Sequence, residues 1–494
     1  MIATPHPLAS EAGAQVLRDG GNAVDAAICA DAVLCVCLPD MTSIGGDLFA
    51  QVWPAGRERP LVLMGGGRSG ADATIERVRG MGLDALPSRG PLSITVPGTV
   101  EAWGRLLERF GSLGLAPLLE PAAALADSVY PVSPVLAADL SANADWLCLE
   151  PAAWRLWPPV SAGMVLRNPA LAAVLREIGQ RGVGRFYQGE VAEAIVDTVR
   201  AGGGFLTMAD LAGHRSSWCD PLEVSFRGAT VYEPPPPTQG CVAAGLLARL
   251  DRHPAEEIAD GLGLARALAL AVAVVDSLRP RLADPEVVPV DVGPFLDPDD
   301  EGDGEPGTPL EGDTIALSVA DEEGTLVSMV QSVAGAFGSG VVARDTGILL
   351  HNRGSGFRLD PSAPNRLEPR KRPAHTLAPA MAALARSRRL AFGTMGGEAQ
   401  PQIQVQILRG ILDRGLDPQA AIALSRLRTA APPASLWVEA DHPDAREVLR
   451  GVPGATPLAP GDLRLGHAQA VLASADGSWS GGVDPRADGL VVEV

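Results

Sequence analysis

The spacing of apolar residues divides the chain into a mainly helical first part and a β-rich second part. In the first part, apolar residues recur with helical spacing, which predicts helices over residues 11–18, 23–38, 100–110, 118–128 and 262–278. Residues 61–64 form a short apolar run, and residues 221–232 alternate between apolar and polar, which predicts a strand ending in the prolines from Pro234.

The pattern changes after an acidic segment. Residues 297–313 are rich in Asp, Glu, Gly and Pro and have no apolar periodicity, so we expect an exposed, flexible linker. Residues 314–320 then alternate, a turn is predicted at 321–324, and 325–333 form the returning strand. Further short strands are predicted at 347–350, 390–392, 467–473 and 478–483. We therefore divide the chain into segments 1–313 and 314–494 of one globular unit.

Charge and composition exclude several classes of protein. The net charge of −19 argues against binding to nucleic acid or to an anionic membrane surface. The apolar stretches are too short and too interrupted to span a bilayer, and the N-terminus has no secretory signal pattern. The six cysteines form no CxxC pair and the seven histidines show no metal-ligand spacing. We expect a cytoplasmic protein with free thiols and with no metal or organic cofactor.

Thr314 stands where an N-terminal nucleophile is expected. It has a hydroxyl group, begins a predicted strand, and follows a flexible segment that lets a new amine move away after cleavage. Its hydroxyl can attack the carbonyl of Asp313, and the freed α-amine, with a pKa near neutrality, can then act as the general base. The pattern alone also fits an ordinary strand threonine.

Two glycine-rich motifs are candidates for binding charge. Gly396 and Gly397 follow the strand predicted at 390–392, where their backbone N–H groups could form an oxyanion hole, although many such pairs are only turns. Residues 65–70 spell GxGxxG, but no second strand follows to complete a dinucleotide-binding βαβ unit.

Nine segments in order resemble the gamma-glutamyltransferase family along nearly the whole chain. They are GGNAVDAA (from Gly20), SIGGDLF (Ser43), TVPGTVEAW (Thr95), PPPPTQG (Pro234), FGSGVV (Phe337), GILLHNRG (Gly347), KRPAHTLAP (Lys371), GTMGGEAQ (Gly393) and GGVDPRADG (Gly481). The resemblance implies an α+β fold, the four-layer αββα sandwich of N-terminal-nucleophile hydrolases, and a precursor that cleaves itself between Asp313 and Thr314.

The resemblance also assigns roles to single residues. It implies that Thr314 is the nucleophile, that Ser332 supports it in place of a second threonine, and that Gly396 and Gly397 form the oxyanion hole. It further implies that Arg68, in GGGRSG, binds the substrate's α-carboxylate, for which a planar guanidinium is well suited.

The sequence departs from the family where the substrate's ammonium group binds. Gly356 stands where the family has an aspartate, and Ala334 where it has an asparagine. The family's two serines after the KRP motif align with His375 and Thr376. Two segments resemble instead the amidohydrolase-like branch of the family, which includes oxamate amidohydrolases and cephalosporin acylases. They are HNRGSGF, which contains Asn352 and Arg353, and HTLAP. We include Asn352, Arg353, His375 and Thr376 among the expected substrate-binding residues.

The sequence therefore predicts a self-processing hydrolase that cleaves an amide of a small carboxylate-bearing substrate through an acyl-threonine. The expected assembly is two chains from one precursor, and a homodimer of such pairs is left open. Three alternatives also remain open: a true gamma-glutamyl transferase or glutathione hydrolase, a homologue that binds a ligand without processing, and a hydrolase of carbon–carbon bonds in secondary metabolism.

Overall fold

The computed structural model describes residues 1–302, 312–429 and 436–494. The strands are β1 (Ile2–Thr4), β2 (Asp47–Trp53), β3 (Leu61–Gly65), β4 (Tyr130–Pro131), β5 (Val165–Leu166), β6 (Ser217–Cys219), β7 (Leu222–Phe226), β8 (Ala229–Glu233), β9 (Asp313–Ala320), β10 (Leu326–Ala334), β11 (Ala380–Leu384), β12 (Arg388–Thr394), β13 (Leu427–Thr429), β14 (Leu436–Glu439), β15 (Thr456–Leu458), β16 (Ala468–Ala473), β17 (Trp479–Val483) and β18 (Leu490–Val492).

The described α-helices lie mostly in the first part of the chain. They are α1 (Pro7–Arg18), α2 (Ala23–Cys37), α3 (Ile75–Gly80), α4 (Thr99–Phe110), α5 (Leu115–Asp127), α6 (Pro134–Ala142), α7 (Ala144–Leu147), α8 (Pro151–Leu156), α9 (Pro169–Arg181), α10 (Gly184–Tyr187), α11 (Glu190–Ala201), α12 (Met208–Ala212), α13 (Gly240–Asp251), α14 (Gly261–Leu278), α15 (Gly293–Leu296), α16 (Gln400–Leu412), α17 (Pro418–Ile422) and α18 (Ala445–Gly451).

Two large sheets form the centre of the molecule. The first has the strand order β18-β1-β9-β10-β2-β3-β6 and the second the order β17-β16-β12-β11-β8-β7. Apolar side chains from both sheets, among them Met381 and Leu326, pack together between them. Helices α2 and α4 cover the outer face of the first sheet, and α13 and α16 cover that of the second. This αββα arrangement confirms the predicted fold.

Helix α2 anchors the first helical layer. Every one of its residues is buried, because the helix is apolar on all sides rather than on one face. Its N-terminus is closed by a capping box: the Asn22 side chain accepts from the backbone N–H of Asp25, and the Asp25 carboxylate accepts from the backbone N–H of Asn22. The helix lies against the central strands β9 and β10 and so fixes the sheet that carries Thr314.

Several predicted elements differ from the structure. The strand predicted at 221–232 is a hairpin of β7 and β8, which turns at Arg227 and Gly228, both with positive φ (52° and 75°). The apolar positions change phase at this turn, from the even positions of Leu222, Val224 and Phe226 to the odd positions of Ala229 and Val231, and this shift marks the hairpin. The strand predicted at 347–350 was wrong: this buried segment makes only isolated bridges, to Gly45 and Val342.

Two other expectations concern the linker and the membrane. Most of the predicted linker, residues 303–311, lies outside the described residues. Residues 261–281 are long and apolar enough to cross a membrane by length and composition alone. Helix α14, which forms most of this segment, packs against α13, and its buried residues belong to the apolar core on that side, which is the environment of a core helix.

Candidate active site

Thr314 is the second residue of β9, in the middle of the first sheet. Its side chain is fully buried, and its hydroxyl donates to Ser332 Oγ on the neighbouring strand β10 over 3.1 Å. The regular pairing of β9 with β10 ends at Gln331 and resumes only at Ala334, opposite Asp313. This bulge turns Ser332 towards the start of β9.

Ser332 Oγ joins the predicted nucleophile to the predicted cleavage site. Its hydroxyl donates to the backbone carbonyl of Asp313 over 2.7 Å, which is the carbonyl that Thr314 would attack. The same oxygen accepts from the backbone N–H of Ala334 at 2.8 Å and faces Arg353 Nη2 at 3.4 Å. These donors withdraw electron density from the Ser332 oxygen and so strengthen its own hydrogen bond to the Asp313 carbonyl.

Gly396 and Gly397 lie between the end of β12 and the start of α16. Their φ values of 131° and 54° belong to conformations that glycine adopts at little cost. A Cβ placed on Gly312 would lie 3.5 Å from Gly397 Cα, so the chain that leads to the predicted cleavage site passes directly over this pair. The predicted oxyanion-hole residues are thus brought to the scissile segment.

Gln239, to which sequence analysis gave no role, ties this region together. Its side-chain amide donates to the carbonyls of Thr376 at 2.5 Å and Gly397 at 2.7 Å, and its oxygen accepts from Arg279. Gln239 lies in PPPPTQG, one of the motifs that carry the resemblance, so the motif was a signal that could have identified it.

Arg353 is a buried cation beside the nucleophile. Its side chain faces Ser332 through Nη2 and donates to Thr376 Oγ1 through Nη1 at 3.2 Å, and the residue is 5% exposed. Burial lowers the pKa of Arg353 to about 10, although the charge of Asp47 acts in the opposite direction. Throughout the described ranges, no carboxylate lies within ion-pairing distance of Arg353. The cation therefore remains available to a ligand.

A buried carboxylate with two imidazoles lies next to this cation. Asp47 Oδ2 is 3.2 Å from His351 Nδ1 and 3.3 Å from His375 Nε2, and all three side chains are fully buried. Burial alone would raise the pKa of Asp47, but the two imidazoles outweigh it and hold the pKa well below its usual range. Burial, together with Arg353, lowers the pKa of His375 to about 4, so its imidazole is neutral at physiological pH.

Asp47 and His351 were not assigned from the sequence, although both belong to quoted motifs. Asp47 pairs directly with Ser332 in the register of β2 and β10. Asn352, which was assigned to substrate binding, instead has its side-chain amide bonded to the backbone: it donates to the carbonyl of Ser88 and accepts from the N–H of Gly335.

Arg68 has its polar contacts elsewhere. Its guanidinium donates to Asp284 at 2.9 Å, to Glu286 at 2.6 Å and to the carbonyl of Arg370. It lines a small cavity of about 70 Å³ next to His214. Within the described residues, its side chain makes no hydrogen bond to Thr314, Ser332 or Arg353.

A larger cavity of about 560 Å³ is lined in part by Thr376, whose hydroxyl accepts from Arg353. Its inner wall includes His375, Thr376, Gly356 and Glu398. Thr376 Oγ1 lies 4.0 Å from the position of a Cβ on Gly312, so the scissile segment runs along the inner end of this cavity. Cleavage and movement of that segment would open a path from the cavity to Thr314.

Comparison with known proteins agrees with this arrangement. Residues 9–494 match the family model described as gamma-glutamyltranspeptidase. The chain is 36% identical to the glutathione hydrolase-like YwrD proenzyme of Bacillus subtilis, over 100% of this chain and 98% of that protein. It is 33% identical to the oxamate amidohydrolase proenzyme of Klebsiella pneumoniae, over 99% and 97% of the two chains.

A solved structure gives the same result for the fold. The cephalosporin acylase from Bacillus halodurans superimposes with a TM-score of 0.90 and 33% identity, over 99% of this chain and 94% of that one. Because the family model, the curated relatives and the fold agree over almost the full length, the chain belongs to the gamma-glutamyltranspeptidase family.

Proposed function

We propose that this protein is a precursor that cleaves itself between Asp313 and Thr314 and then hydrolyses an amide of a small carboxylate-bearing substrate through an acyl-threonine. The observation that carries the proposal is the position of Ser332 Oγ, which contacts both the Thr314 hydroxyl and the Asp313 carbonyl. An ordinary strand threonine does not need a second hydroxyl shared with the preceding peptide carbonyl.

In the proposed self-cleavage, Thr314 Oγ attacks the carbonyl carbon of Asp313. The carbonyl oxygen that gains negative charge already accepts a hydrogen bond from the Ser332 hydroxyl over 2.7 Å. This donor stabilises the negative charge as it forms in the transition state. The C–N bond breaks, its nitrogen takes up a proton to become the α-amine of Thr314, and an ester to Thr314 Oγ remains. Water then hydrolyses this ester, which leaves a carboxylate on Asp313 and a free hydroxyl on Thr314.

The same groups serve the external substrate. The α-amine of Thr314 takes the proton from its own hydroxyl and passes it to the departing amine. The backbone N–H groups of Gly396 and Gly397 hold the oxyanion, and a water molecule entering through the cavity releases the acyl group. The acyl group passes to Thr314 and the amine leaves, and water then hydrolyses the acyl-threonine to the free acid. Water is the only co-reactant that these two steps need.

Distances around Ser332 favour a short acyl group. Thr314 Oγ1 and Arg353 Nη2 lie 3.1 and 3.4 Å from Ser332 Oγ, so they are at most about 6.5 Å apart. A charge-assisted hydrogen bond takes up about 2.8 Å of that span, and the attack distance takes up about 3 Å. These two contacts take up most of the span, so only a short, bent connection fits, which favours a carboxylate one or two bonds from the scissile carbonyl.

An oxalyl-type amide meets this requirement, whereas an extended glutaryl chain has four bonds between its two carbonyl carbons. The chain is also 33% identical to a protein named oxamate amidohydrolase, which supports the same substrate class. Gly356, on the cavity wall, offers no side chain that could pair with an α-ammonium group, and an unpaired buried ammonium is costly. We therefore propose a monoamide of a short dicarboxylic acid, without an α-ammonium group, as substrate.

Intact-mass measurement tests the first half of this proposal. The purified protein should resolve into residues 1–313 and 314–494, and Thr314→Ala should remain a single chain. A panel of oxamate, malonamate, succinamate and glutaramate tests the second half, with ammonia release as readout. Cleavage of the Thr314→Ala variant at the same bond, or a rate that rises with chain length, would contradict the proposal.

A further inference from the structure

The turn that follows Ser332 has a backbone shape that it does not favour by itself. Ala334 and Phe337 have φ values of 78° and 54°, in the left-handed region that residues with a Cβ adopt only at a cost. Ala334 also supplies the N–H that bonds to Ser332 Oγ at 2.8 Å. The orientation of this N–H therefore depends on contacts that hold the turn from outside.

Part of this support comes from the backbone carbonyls of Met41 and Asp40, which accept from the N–H groups of Val333 and Phe337. Another part comes from residues 88–90, on the loop between α3 and α4, of which Arg89 and Gly90 bond to the turn directly and Ser88 through Asn352. Arg89 Nη1 donates to the carbonyls of Ala336 (2.8 Å) and Gly338 (3.1 Å). The backbone N–H of Gly90 donates to the carbonyl of Ser339 (2.9 Å). The Asn352 side chain donates to the carbonyl of Ser88 and accepts from the N–H of Gly335, so it links the two segments. We call this set the turn clamp.

Arg89 is the charged member of the turn clamp. Its guanidinium carbon lies 3.3 Å from the centre of the Trp146 ring, a cation–π arrangement that fixes its position. Burial lowers the pKa of Arg89, and the carboxylate of Asp313 acts against that effect.

We propose that Arg89 is a positioning residue for self-cleavage: it holds the turn so that the Ala334 N–H stays on Ser332 Oγ, and it thereby keeps the Ser332 hydroxyl directed at the scissile carbonyl of Asp313. This inference rests on the proposed function. The contact between the Ser332 hydroxyl and the Asp313 carbonyl belongs to the precursor, in which Asp313 and Thr314 are still joined. Loss of Arg89 therefore slows processing more than it slows turnover by chains that have already been processed.

The test compares the half-life of the precursor, followed by intact mass, with the turnover of a hydrolysed amide per processed chain, in Arg89→Gln and Arg89→Lys. Arg109→Gln is the matched control, because Arg109 also stacks on a tryptophan, Trp218 at 4.8 Å, but lies outside the turn clamp. We expect Arg89→Gln to slow cleavage about tenfold or more, and Arg89→Lys to slow it as well, because an ammonium group lacks the planar fork that bonds to the turn and stacks on Trp146. Turnover by chains that have already been processed should change less than the rate of cleavage.

Three results have clear meanings. Cleavage of Arg89→Gln at the wild-type rate overturns the inference, and so does an equal slowing of cleavage and of turnover by processed chains, which would show a purely structural role. A thermal melt of each variant identifies loss of folding, and Arg89→Lys then carries the comparison. Failure of the wild-type chain to cleave would remove the proposed function itself, whereas normal wild-type cleavage with an unaffected Arg89→Gln removes only the role of Arg89.

Discussion

The group that binds the substrate carboxylate can be identified by changing Arg353 and Arg68 to glutamine in separate variants. The sequence resemblance predicts this role for Arg68, whereas the geometry around Ser332 leads us to propose Arg353. Arg353 is buried and has no carboxylate partner within the described residues, while Arg68 already contacts Asp284 and Glu286. A guanidinium whose charge is already neutralised by two carboxylates contributes less binding free energy to a third carboxylate.

The expected loss follows from the contact that is removed. A hydrogen bond to a charged group contributes about 1.5–3 kcal/mol, which corresponds to a decrease in kcat/KM of about 10- to 150-fold for Arg353→Gln. Because Arg353 is 5% exposed, screening by salt should reduce this effect little. Arg68→Gln should instead weaken the two ion pairs of Arg68 and lower the thermal stability modestly, because its side chain is 27% exposed.

The assay compares oxamate with its methyl ester, which has the same shape near the scissile bond but no negative charge. Rates are divided by the amount of chain that has a free Thr314, measured by intact mass, since Arg353 also contacts Ser332 and can affect processing. We expect Arg353→Gln to remove the preference for oxamate over the ester and Arg68→Gln to preserve it. If Arg68→Gln abolishes the preference and Arg353→Gln retains it, the distance argument is refuted and the family's assignment holds.

Three further predictions concern the nucleophile, the ammonium group and pH. Thr314→Ser should still cleave itself, because it keeps the hydroxyl, while Thr314→Ala should do neither reaction; processing of Thr314→Ala would exclude Thr314 as the nucleophile. Glutaryl anilide should be hydrolysed faster than gamma-glutamyl anilide at equal concentration, and the reverse order would mean that a carboxylate such as Asp47 or Glu398 binds the ammonium group. Buried His214, His375 and His467 have pKa values lowered to about 3, 4 and 4, below the unfolded value of about 6.5. The unfolded chain therefore takes up protons first, so their stabilisation is complete above pH about 6.5 and decreases towards pH 4; a thermal midpoint that stays constant over this range would contradict it.

The sequence predicted those parts of the fold in which local pattern and pairing coincide. The hairpin of β9 and β10 was predicted because its strands alternate and a turn lies between them, so each strand finds its partner next in the chain. Residues 347–350 show the limit of the pattern. Their apolar side chains are buried as expected, but burial can be reached without a ladder of backbone hydrogen bonds, and hydrophobicity reports only the burial.

The candidate site required strand order as well as sequence. Ser332 could be linked to Thr314 because both lie on the same hairpin. Asp47 lies directly opposite Ser332 on the other side of β10, yet it comes from a strand in the first segment of the chain. Nothing in the spacing of apolar residues indicates that β2 pairs with β10, so the carboxylate and its imidazoles could not be assigned from pattern alone.

The two arginines show why side-chain type is a weaker guide than side-chain surroundings. Arg68 and Arg353 have the same fork of donors, and the resemblance favoured Arg68 because of its place in a motif. Their difference depends on Asp284 and Glu286, which are more than two hundred residues from Arg68 in the chain and reach it only in the folded protein. Arg353 is more deeply buried, and within the described residues its guanidinium contacts the hydroxyl groups of Ser332 and Thr376, while the charge of Asp47 acts on it at longer range. A buried cation without a close counterion gains much binding free energy from an anion, and we propose that the carboxylate of a substrate at Thr314 supplies that anion.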